Sequence, residues 1–206
     1  MGTPDRLLSV ESDIQNKVCS ARSEDVNRKA VFLDRDGTIN KTAGFINSPN
    51  DIELLDNVTT AIALLNKSIY LAICVTNQPV IARGECSFDG MQKIHSKLDY
   101  LLGAGGAYLD RLYFCPHHPH SGFKDEVKHL KVVCNCRKPK PGLFHLAQKE
   151  HNISLTDSWI VGDRTADIAS ANNFGGYSAL VLSGDAGQDY KYKSRPNIVT
   201  LNLYDA

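Results

Sequence analysis

Two aspartates that are one residue apart, Asp34 and Asp36, follow an apolar run and precede Gly37. Carboxylates at this spacing can converge on one point if the chain turns, and glycine adopts the backbone conformations that a sharp turn needs. One carboxylate can then attack phosphorus while the other donates and later accepts a proton. The pair therefore suggests phosphoryl-transfer chemistry, although an ordinary turn with two solvated aspartates has the same sequence.

Three later segments add the other side chains that phosphoryl transfer requires. Thr76-Asn77 offers a hydroxyl and backbone amides to phosphate oxygens, and Arg137-Lys138 can neutralise charge on the transferring group. Asp163 and Asp167 are carboxylate ligands suited to a hard cation. Each segment alone has an ordinary structural explanation, but their order along the chain favours one shared site.

Three of the six cysteines have histidines as close neighbours in the sequence. Cys115, Cys134 and Cys136 can supply three thiolates, and one imidazole would complete a tetrahedral zinc site. The candidate imidazoles are those of His117, His118, His120 and His129. The alternative is a set of free thiols beside exposed histidines.

The composition narrows the class of partner. A chain of 206 residues is long enough for one substantial domain, and its 23 basic residues balance its 23 acidic ones. This balance favours a small-molecule substrate over a nucleic acid or an anionic membrane, and we expect a monomer. The amino-terminal residues lack the apolar core of a signal peptide, so we expect a cytoplasmic protein in which Cys19, Cys74 and Cys86 are ordinary thiols.

Strand and helix patterns alternate along most of the chain. Residues 1–28 are polar and irregular, and we interpret them as an extension or linker preceding one domain over residues 29–206. The predicted strands are AVFLD, YLAICVT, RLYFC, SWIVGD and YSALVL, with helices between them that include one capped by Ser87 and one with Pro141 in its first turn. This rhythm predicts an α/β fold with a doubly wound parallel sheet, in which ligands bind at the carboxyl ends of the strands.

The strand-end motifs resemble those of the haloacid dehalogenase superfamily of phosphatases, from Lys29 to about Leu182. The resemblance implies that Asp34 is a nucleophile that forms an aspartyl phosphate and that Asp36 is the general acid and base. It further implies that Thr76 binds the phosphoryl group, that Lys138 stabilises it, and that Mg²⁺ is held by Asp34, the backbone carbonyl of Asp36, and Asp163.

The segments CPHHP and CNCRKPKPG resemble the zinc loop of the D-glycero-D-manno-heptose 1,7-bisphosphate phosphatase family, which is similar to that of the histidinol-phosphate phosphatases. The resemblance implies that Cys115, His117, Cys134 and Cys136 bind a structural Zn²⁺ in a loop over residues 115–136. The metal would then fix the loop that delivers Arg137 and Lys138 to the phosphate.

The resemblance extends to the segments DRDGTIN, TNQ, IARG and the loop near Gly44. The connections between the strand-end motifs are short, so we expect no large cap domain. The implied substrate-binding residues are Arg35, Thr42, Ala43, Gly44, Phe45, Asn77, Gln78, Pro79, Arg137 and Arg164. The chain departs from the family where Thr42-Ala43 replaces Asp-His, Pro79-Val80 replaces Ser-Gly, and Arg164 replaces Lys.

We therefore expect hydrolysis of the C7 phosphate of the heptose bisphosphate, which would supply nucleotide-activated heptose for surface polysaccharide. The alternatives are a histidinol-phosphate phosphatase and a non-catalytic interaction module stabilised by zinc. Residues 2–6 resemble the end of sugar-phosphate nucleotidyltransferases, which suggests descent from a fused protein.

Overall fold

The computed structural model describes residues 3–42 and 44–206, so Gly2 and Ala43 of the sequence predictions lie outside the described residues. Six α-helices and six strands follow one another along the described chain. In order they are α1 Pro4–Gln15, α2 Val18–Ala21, β1 Lys29–Leu33, α3 Val58–Asn66, β2 Tyr70–Asn77, α4 Phe88–Ala104, β3 Arg111–Cys115, α5 Gly142–His151, β4 Trp159–Gly162, α6 Thr165–Phe174, β5 Tyr177–Val181 and β6 Ile198–Thr200.

The six strands form one sheet in the order β3-β2-β1-β4-β5-β6, and every neighbouring pair is parallel. The chain moves outward from β1 to one edge and then returns to β4 on the other side of β1. This reversal is the switch point at which open α/β sheets bind ligands beyond the carboxyl ends of their strands. The doubly wound parallel sheet predicted from the sequence is confirmed.

Side chains that alternate along β1 build a core on each face of the sheet. Val31 and Leu33 pack in the cluster that contains the buried faces of α3 and α4, whereas Ala30 and Phe32 pack with residues of α5 and α6. The sheet is thus buried on both faces, which explains why the strand sequences are almost continuously apolar.

Three phenylalanines join the first strand to the last third of the chain. The ring of Phe32 lies 5.0 Å from that of Phe144 in α5 and 5.8 Å from that of Phe174 in α6, in edge-to-face arrangements. At the amino end of β4, Trp159 stacks on Tyr177 of β5 at 5.0 Å.

The first 28 residues are more regular than their sequence suggested. Pro4 opens α1 at its first position after the N-cap residue Thr3, because the fixed φ of proline suits that position. Helix α1 contains no buried residue, and the first buried side chain is Val18 of α2. The expectation of an irregular segment is therefore wrong, since two short helices occupy it.

Other local predictions have mixed outcomes. The cap at Ser87 is confirmed, because its hydroxyl accepts a hydrogen bond from the Gly90 amide at 2.9 Å. Pro141 immediately precedes α5 as its N-cap residue. Strand β6 was not predicted, since its three residues are too few for a recognisable pattern.

Within residues 3–42 and 44–206, no helix is both long and apolar enough to cross a membrane.

Candidate active site

The loop after β1 brings Asp34 and Gly37 to the switch point. The Arg35 amide donates a hydrogen bond to Asp34 Oδ1 at 2.8 Å, which fixes the carboxylate just beyond the strand. Gly37 has a φ of +83° and lies against the Asp163 carboxylate so closely that a Cβ atom would be 2.3 Å from Asp163 Oδ2. Only glycine fits here, and the turn inferred from the sequence therefore also allows the β4 carboxylate to approach.

Lys138 is buried beside Asp34, at 4% exposure. Its Nζ atom lies 2.8 Å from Asp34 Oδ1 and 2.6 Å from Asp167 Oδ1, and it donates to the Val75 carbonyl at 2.7 Å. The ammonium group thus makes two ion pairs and one hydrogen bond. Burial alone would lower the pKa of Lys138, but Asp167 and Asp34 raise it above its usual value, so the ammonium stays charged.

The side chain of Asn77 fixes the backbone of Lys138. Its Oδ1 atom accepts from the Lys138 amide at 3.0 Å, and its Nδ2 atom donates to the Lys138 carbonyl at 3.2 Å. Asn77 was expected to contact substrate, but in the structure its amide group is engaged by the backbone of Lys138. Asn77 therefore lines the pocket and also holds in place the backbone of Lys138, a predicted catalytic residue.

Three buried carboxylates meet beside this ammonium group. Single oxygens of Asp34, Asp163 and Asp167 lie within 4.8 Å of one another, and among the described residues Asp163 Oδ1 is buried without a hydrogen-bond partner. Burial, followed by repulsion from Asp34 and Asp167, raises the pKa of Asp163 to about 8. An oxygen set with excess negative charge and an unpaired acceptor fits a hard divalent cation.

Asp36 is held as a carboxylate by four hydrogen bonds. Arg35 donates to both of its oxygens at 2.9 Å, and Asn40 and Gln78 donate at 3.0 and 2.9 Å. Burial would raise its pKa, but the charge of Arg35 and these hydrogen bonds keep the pKa of Asp36 below its usual value. The ionised form is the one that can accept a proton from water.

Arg35 occupies a different place from the expected one. Its side chain is fully buried, and its NH1 atom lies 3.4 Å from His95 Nε2 and 3.5 Å from the sulfur of Met91. The guanidinium group is thus beneath the site and not in its wall. Arg35 holds the Asp36 carboxylate, and its contact with substrate stays a prediction.

The pocket over these groups encloses about 130 Å³. Its wall unites most of the residues singled out in the sequence. They are Asp34, Asp36, Thr42, Gly44, Phe45, Thr76, Asn77, Gln78, Pro79, Arg137, Lys138, Arg164 and Asp167. Gln78 links two of them, because its Nε2 atom donates to Asp36 Oδ2 and to Thr76 Oγ1, both at 2.9 Å.

Three wall residues in the connection between β5 and β6 were not predicted from the sequence, namely Asp189, Lys191 and Tyr192. Asp189 accepts hydrogen bonds from the amide and hydroxyl of Thr165, both at 2.8 Å, and so anchors the connection to the first turn of α6. Their segment has no periodicity or motif that marks it. The only available signal was topological, because every connection leaving the carboxyl edge of a parallel sheet passes near the site.

A second polar cluster lies where β3 ends. The sulfurs of Cys115, Cys134 and Cys136 are 3.1 to 3.5 Å apart, and His117 Nδ1 lies 3.1 Å from Cys136 Sγ. These distances are much longer than the roughly 2.05 Å of a disulfide. They are slightly shorter than the roughly 3.8 Å between ligands of a tetrahedral site with 2.3 Å metal–sulfur bonds.

This cluster can hold a metal ion. Hydrogen bonding between its sulfurs lowers the pKa of Cys136 to about 5, although burial opposes the shift, so a thiolate is available as a ligand. The structure also distinguishes the histidines. His118 is directed away, with Nδ1 3.0 Å from the His120 carbonyl and Nε2 3.5 Å from Arg83.

The parallel sheet with carboxylates at its switch point and a buried lysine defines a hydrolase of the HAD-like class. The HAD-hydrolase-like family profile matches residues 135–206. These residues contain the segment from the metal cluster to β6.

Individual proteins match over more of the chain. A D-glycero-beta-D-manno-heptose-1,7-bisphosphate 7-phosphatase of Vibrio cholerae serotype O1 is 38% identical over 158 residues, covering 76% of this chain and 83% of the relative. The enzyme of the same name from Haemophilus ducreyi is 38% identical, with coverages of 87% and 97%. The chain belongs to the D-glycero-beta-D-manno-heptose-1,7-bisphosphate 7-phosphatase family.

A solved structure shows the same fold. The crystal structure of the D,D-heptose 1,7-bisphosphate phosphatase from B. bronchiseptica, complexed with magnesium and phosphate, superposes with a TM-score of 0.74 at 28% identity. The match covers 86% of this chain and 94% of that one.

Proposed function

We propose that this protein is a Mg²⁺-dependent phosphatase that hydrolyses the C7 phosphate of D-glycero-D-manno-heptose 1,7-bisphosphate. The observation that carries the proposal is the buried contact between Asp34 and Lys138 at the base of the pocket. The family relationship supports the substrate, because the relatives named above act on this bisphosphate.

The first step would be attack of an Asp34 oxygen on phosphorus, which forms an aspartyl phosphate as the sugar oxygen leaves. Asp36, once protonated, would donate its proton to that oxygen. In the second step the Asp36 carboxylate would take a proton from water, which attacks phosphorus and releases Asp34. The hydrogen bonds to Asp36 suit this second step, because they stabilise its carboxylate form.

The remaining polar groups would bind and neutralise the phosphoryl group. The Thr76 hydroxyl can donate to one of its oxygens, and the Lys138 ammonium can offset its developing charge in a buried, pre-arranged position. Asp34, Asp163 and the backbone carbonyl of Asp36 would hold Mg²⁺, which supplies the positive charge that lets a carboxylate approach a phosphate. The unpaired Asp163 oxygen supports this assignment.

We assign the second metal site to Zn²⁺ with a structural role. Its donors, Cys115, His117, Cys134 and Cys136, form a Cys₃His set, which is typical of closed tetrahedral zinc sites. Arg137 follows the last ligand directly, and its NH1 atom donates to the His117 carbonyl at 3.2 Å. The bound metal would therefore fix the origin of the segment that supplies Arg137 and Lys138.

To test the substrate, the rate of phosphate release is measured in the presence of Mg²⁺. Both anomers of heptose 1,7-bisphosphate are compared with histidinol phosphate at equal concentrations. We expect one heptose anomer to give the highest kcat/KM. A higher value for histidinol phosphate would overturn the substrate and leave the chemistry in place.

The variant Asp34→Asn tests catalysis itself, because an amide is a far weaker nucleophile than a carboxylate. We expect it to abolish turnover and keep the fold, whereas Asp205→Asn, at an exposed carboxylate, leaves turnover unchanged. Full activity of Asp34→Asn would show that Asp34 is not the nucleophile, whereas a wild-type protein without turnover would favour the non-catalytic alternative.

A further inference from the structure

Arg83 lies between two aromatic rings that belong to different loops. Its guanidinium carbon is 4.2 Å from the ring centre of Phe45 in the pocket loop, defined as residues 42–46, and 4.7 Å from that of Phe123. Phe123 belongs to the metal loop, defined as residues 115–136. Cations over aromatic faces at these distances attract the rings, so Arg83 connects the two loops.

A second cation contacts Phe123, and the Arg83 guanidinium group has one side-chain hydrogen-bond contact, from NH2 to His118 Nε2 at 3.5 Å. The Lys131 ammonium lies 4.4 Å from the Phe123 ring centre, and the His118 ring meets Phe123 edge-on at 5.5 Å. Among the described residues, Arg83 Nε is buried and has no hydrogen-bond partner. The guanidinium group is therefore held by two aromatic rings and by this one long contact with His118.

The backbone beneath Arg83 is firmly attached to the metal loop. The Val127 amide donates to the Ala82 carbonyl at 3.0 Å. Gly84 lies so close to Asp125 that a Cβ atom would be 1.8 Å from the Asp125 carbonyl oxygen. Ala82 is itself fully buried. Arg83 thus extends from a rigid support toward the pocket loop.

The pocket loop has few other attachments. Within the described part of this loop, residues 42 and 44–46, no hydrogen bond to the rest of the chain is found, and Ile46 is the buried member at 4% exposure. Gly44 has a φ of +88° and open space around it. Phe45 is 53% exposed and lines the pocket. Among the described residues, the Arg83 guanidinium group is the cationic or aromatic group that contacts the Phe45 ring.

We infer that Arg83 is a positioning residue for substrate specificity, which holds the Phe45 ring in the pocket wall against the carbon skeleton of the sugar. This inference builds on the proposed function. Arg83 itself is not among the described residues of the pocket wall, so its effect passes through Phe45. Its loss should weaken binding of the sugar and leave the chemical step intact.

The first measurement is KM and kcat of Arg83→Met, which keeps most of the side-chain bulk and removes the charge. We expect KM for the heptose bisphosphate to rise about five- to tenfold, the range of one partly buried cation–π contact, with kcat within about twofold of wild type. Arg83→Lys keeps a cation and should recover part of the loss. Acetyl phosphate has no sugar carbon skeleton for the Phe45 ring to contact, so its KM should not change.

Two further variants separate positioning from general damage. Because Arg83 acts through Phe45, the KM of Arg83→Met/Phe45→Ala should be no higher than that of Phe45→Ala alone. The matched control is Lys97→Met, which removes a half-buried cation 5.0 Å from the Tyr100 ring centre on α4 and should leave KM unchanged.

Three results would overturn the inference. They are an unchanged KM in Arg83→Met, an equal rise in KM for acetyl phosphate, and multiplication of the two single effects in the double variant. If the wild-type protein prefers another phosphate ester of the panel, the proposed substrate fails. The same variants measured with that ester still decide the role of Arg83.

Discussion

Lys138 contacts two of the three clustered carboxylates, so the site depends most directly on its ammonium group. We predict that Lys138→Met lowers kcat at least about 100-fold, because it removes a pre-arranged positive charge from the transition state. It also leaves buried carboxylates without a partner, which should lower the free energy of unfolding by about 3 kcal/mol or more.

Steady-state kinetics and urea unfolding test this prediction. Lys140→Met, at an exposed lysine two residues away, is the matched control and should change neither quantity. A kcat for Lys138→Met close to that of wild type would show that the ammonium group does not act in catalysis.

His95 illustrates how a buried partner of Arg35 affects stability. Burial and the Arg35 charge lower the pKa of His95 to about 4. The His pKa of the unfolded chain is near 6.5. Between about pH 6.5 and pH 4, His95 is therefore protonated in the unfolded chain and neutral in the folded chain. The stability that the neutral ring contributes is complete above about pH 6.5 and is lost as the pH falls toward 4.

We predict that wild type loses about 2 kcal/mol more unfolding free energy than His95→Gln between pH 8 and pH 5. The comparison of the two slopes removes the contribution of the carboxyl groups that titrate in both proteins. Parallel pH dependence in chemical denaturation would show that His95 protonates freely in the folded state.

Among the structural elements, the metal loop joins the end of β3 to Arg137 and Lys138 of the pocket wall. We predict that Cys136→Ser loses the bound Zn²⁺, lowers the Tm by about 5 °C or more and reduces kcat, because Arg137 and Lys138 follow it directly. Metal content, thermal unfolding and turnover are measured together. Cys19→Ser, at an exposed thiol, serves as the control. Retention of stoichiometric zinc by Cys136→Ser would remove this residue from the ligand set.

The elements also show which parts of the structure could be predicted from the sequence. Strands β1 to β5 were recognisable because burial on both faces makes them short apolar runs between polar turns. Helix α1 was not recognised, although Leu7, Val10 and Ile14 recur at helical spacing, because the surrounding segment is mostly polar; the helix contains no buried residue. The helix was instead marked by Pro4 at its first turn.

For the candidate site, the order of motifs was sufficient to bring Asp34, Thr76, Lys138 and Asp163 to one edge of the sheet. The sequence could not show that Arg35 is turned beneath the site toward His95, since the direction of a side chain depends on packing. For the same reason, Arg83 was an unremarkable residue until Phe45 and Phe123 were placed on either side of it.

At the scale of the whole molecule, Phe32 joins the beginning and the end of the domain through Phe144 and Phe174. If residues 29–206 form one domain, Phe32→Leu should lower the unfolding free energy by about 1–2 kcal/mol and keep a single transition. Tyr100→Leu, at a side chain that is 66% exposed, should change it by less than about 0.5 kcal/mol. Two separate transitions in calorimetry would show that the two halves fold independently.

The stacked pair of Trp159 and Tyr177 has an optical consequence. Trp159 is the sole tryptophan in the sequence, and it lies at the amino end of β4, whereas the phosphate site lies beyond the carboxyl ends of the strands. Excitation near 295 nm should therefore give an emission spectrum that shifts when the sheet comes apart and stays constant as the pocket fills. The chain thus contains its own fluorescent reporter of folding, separate from catalysis.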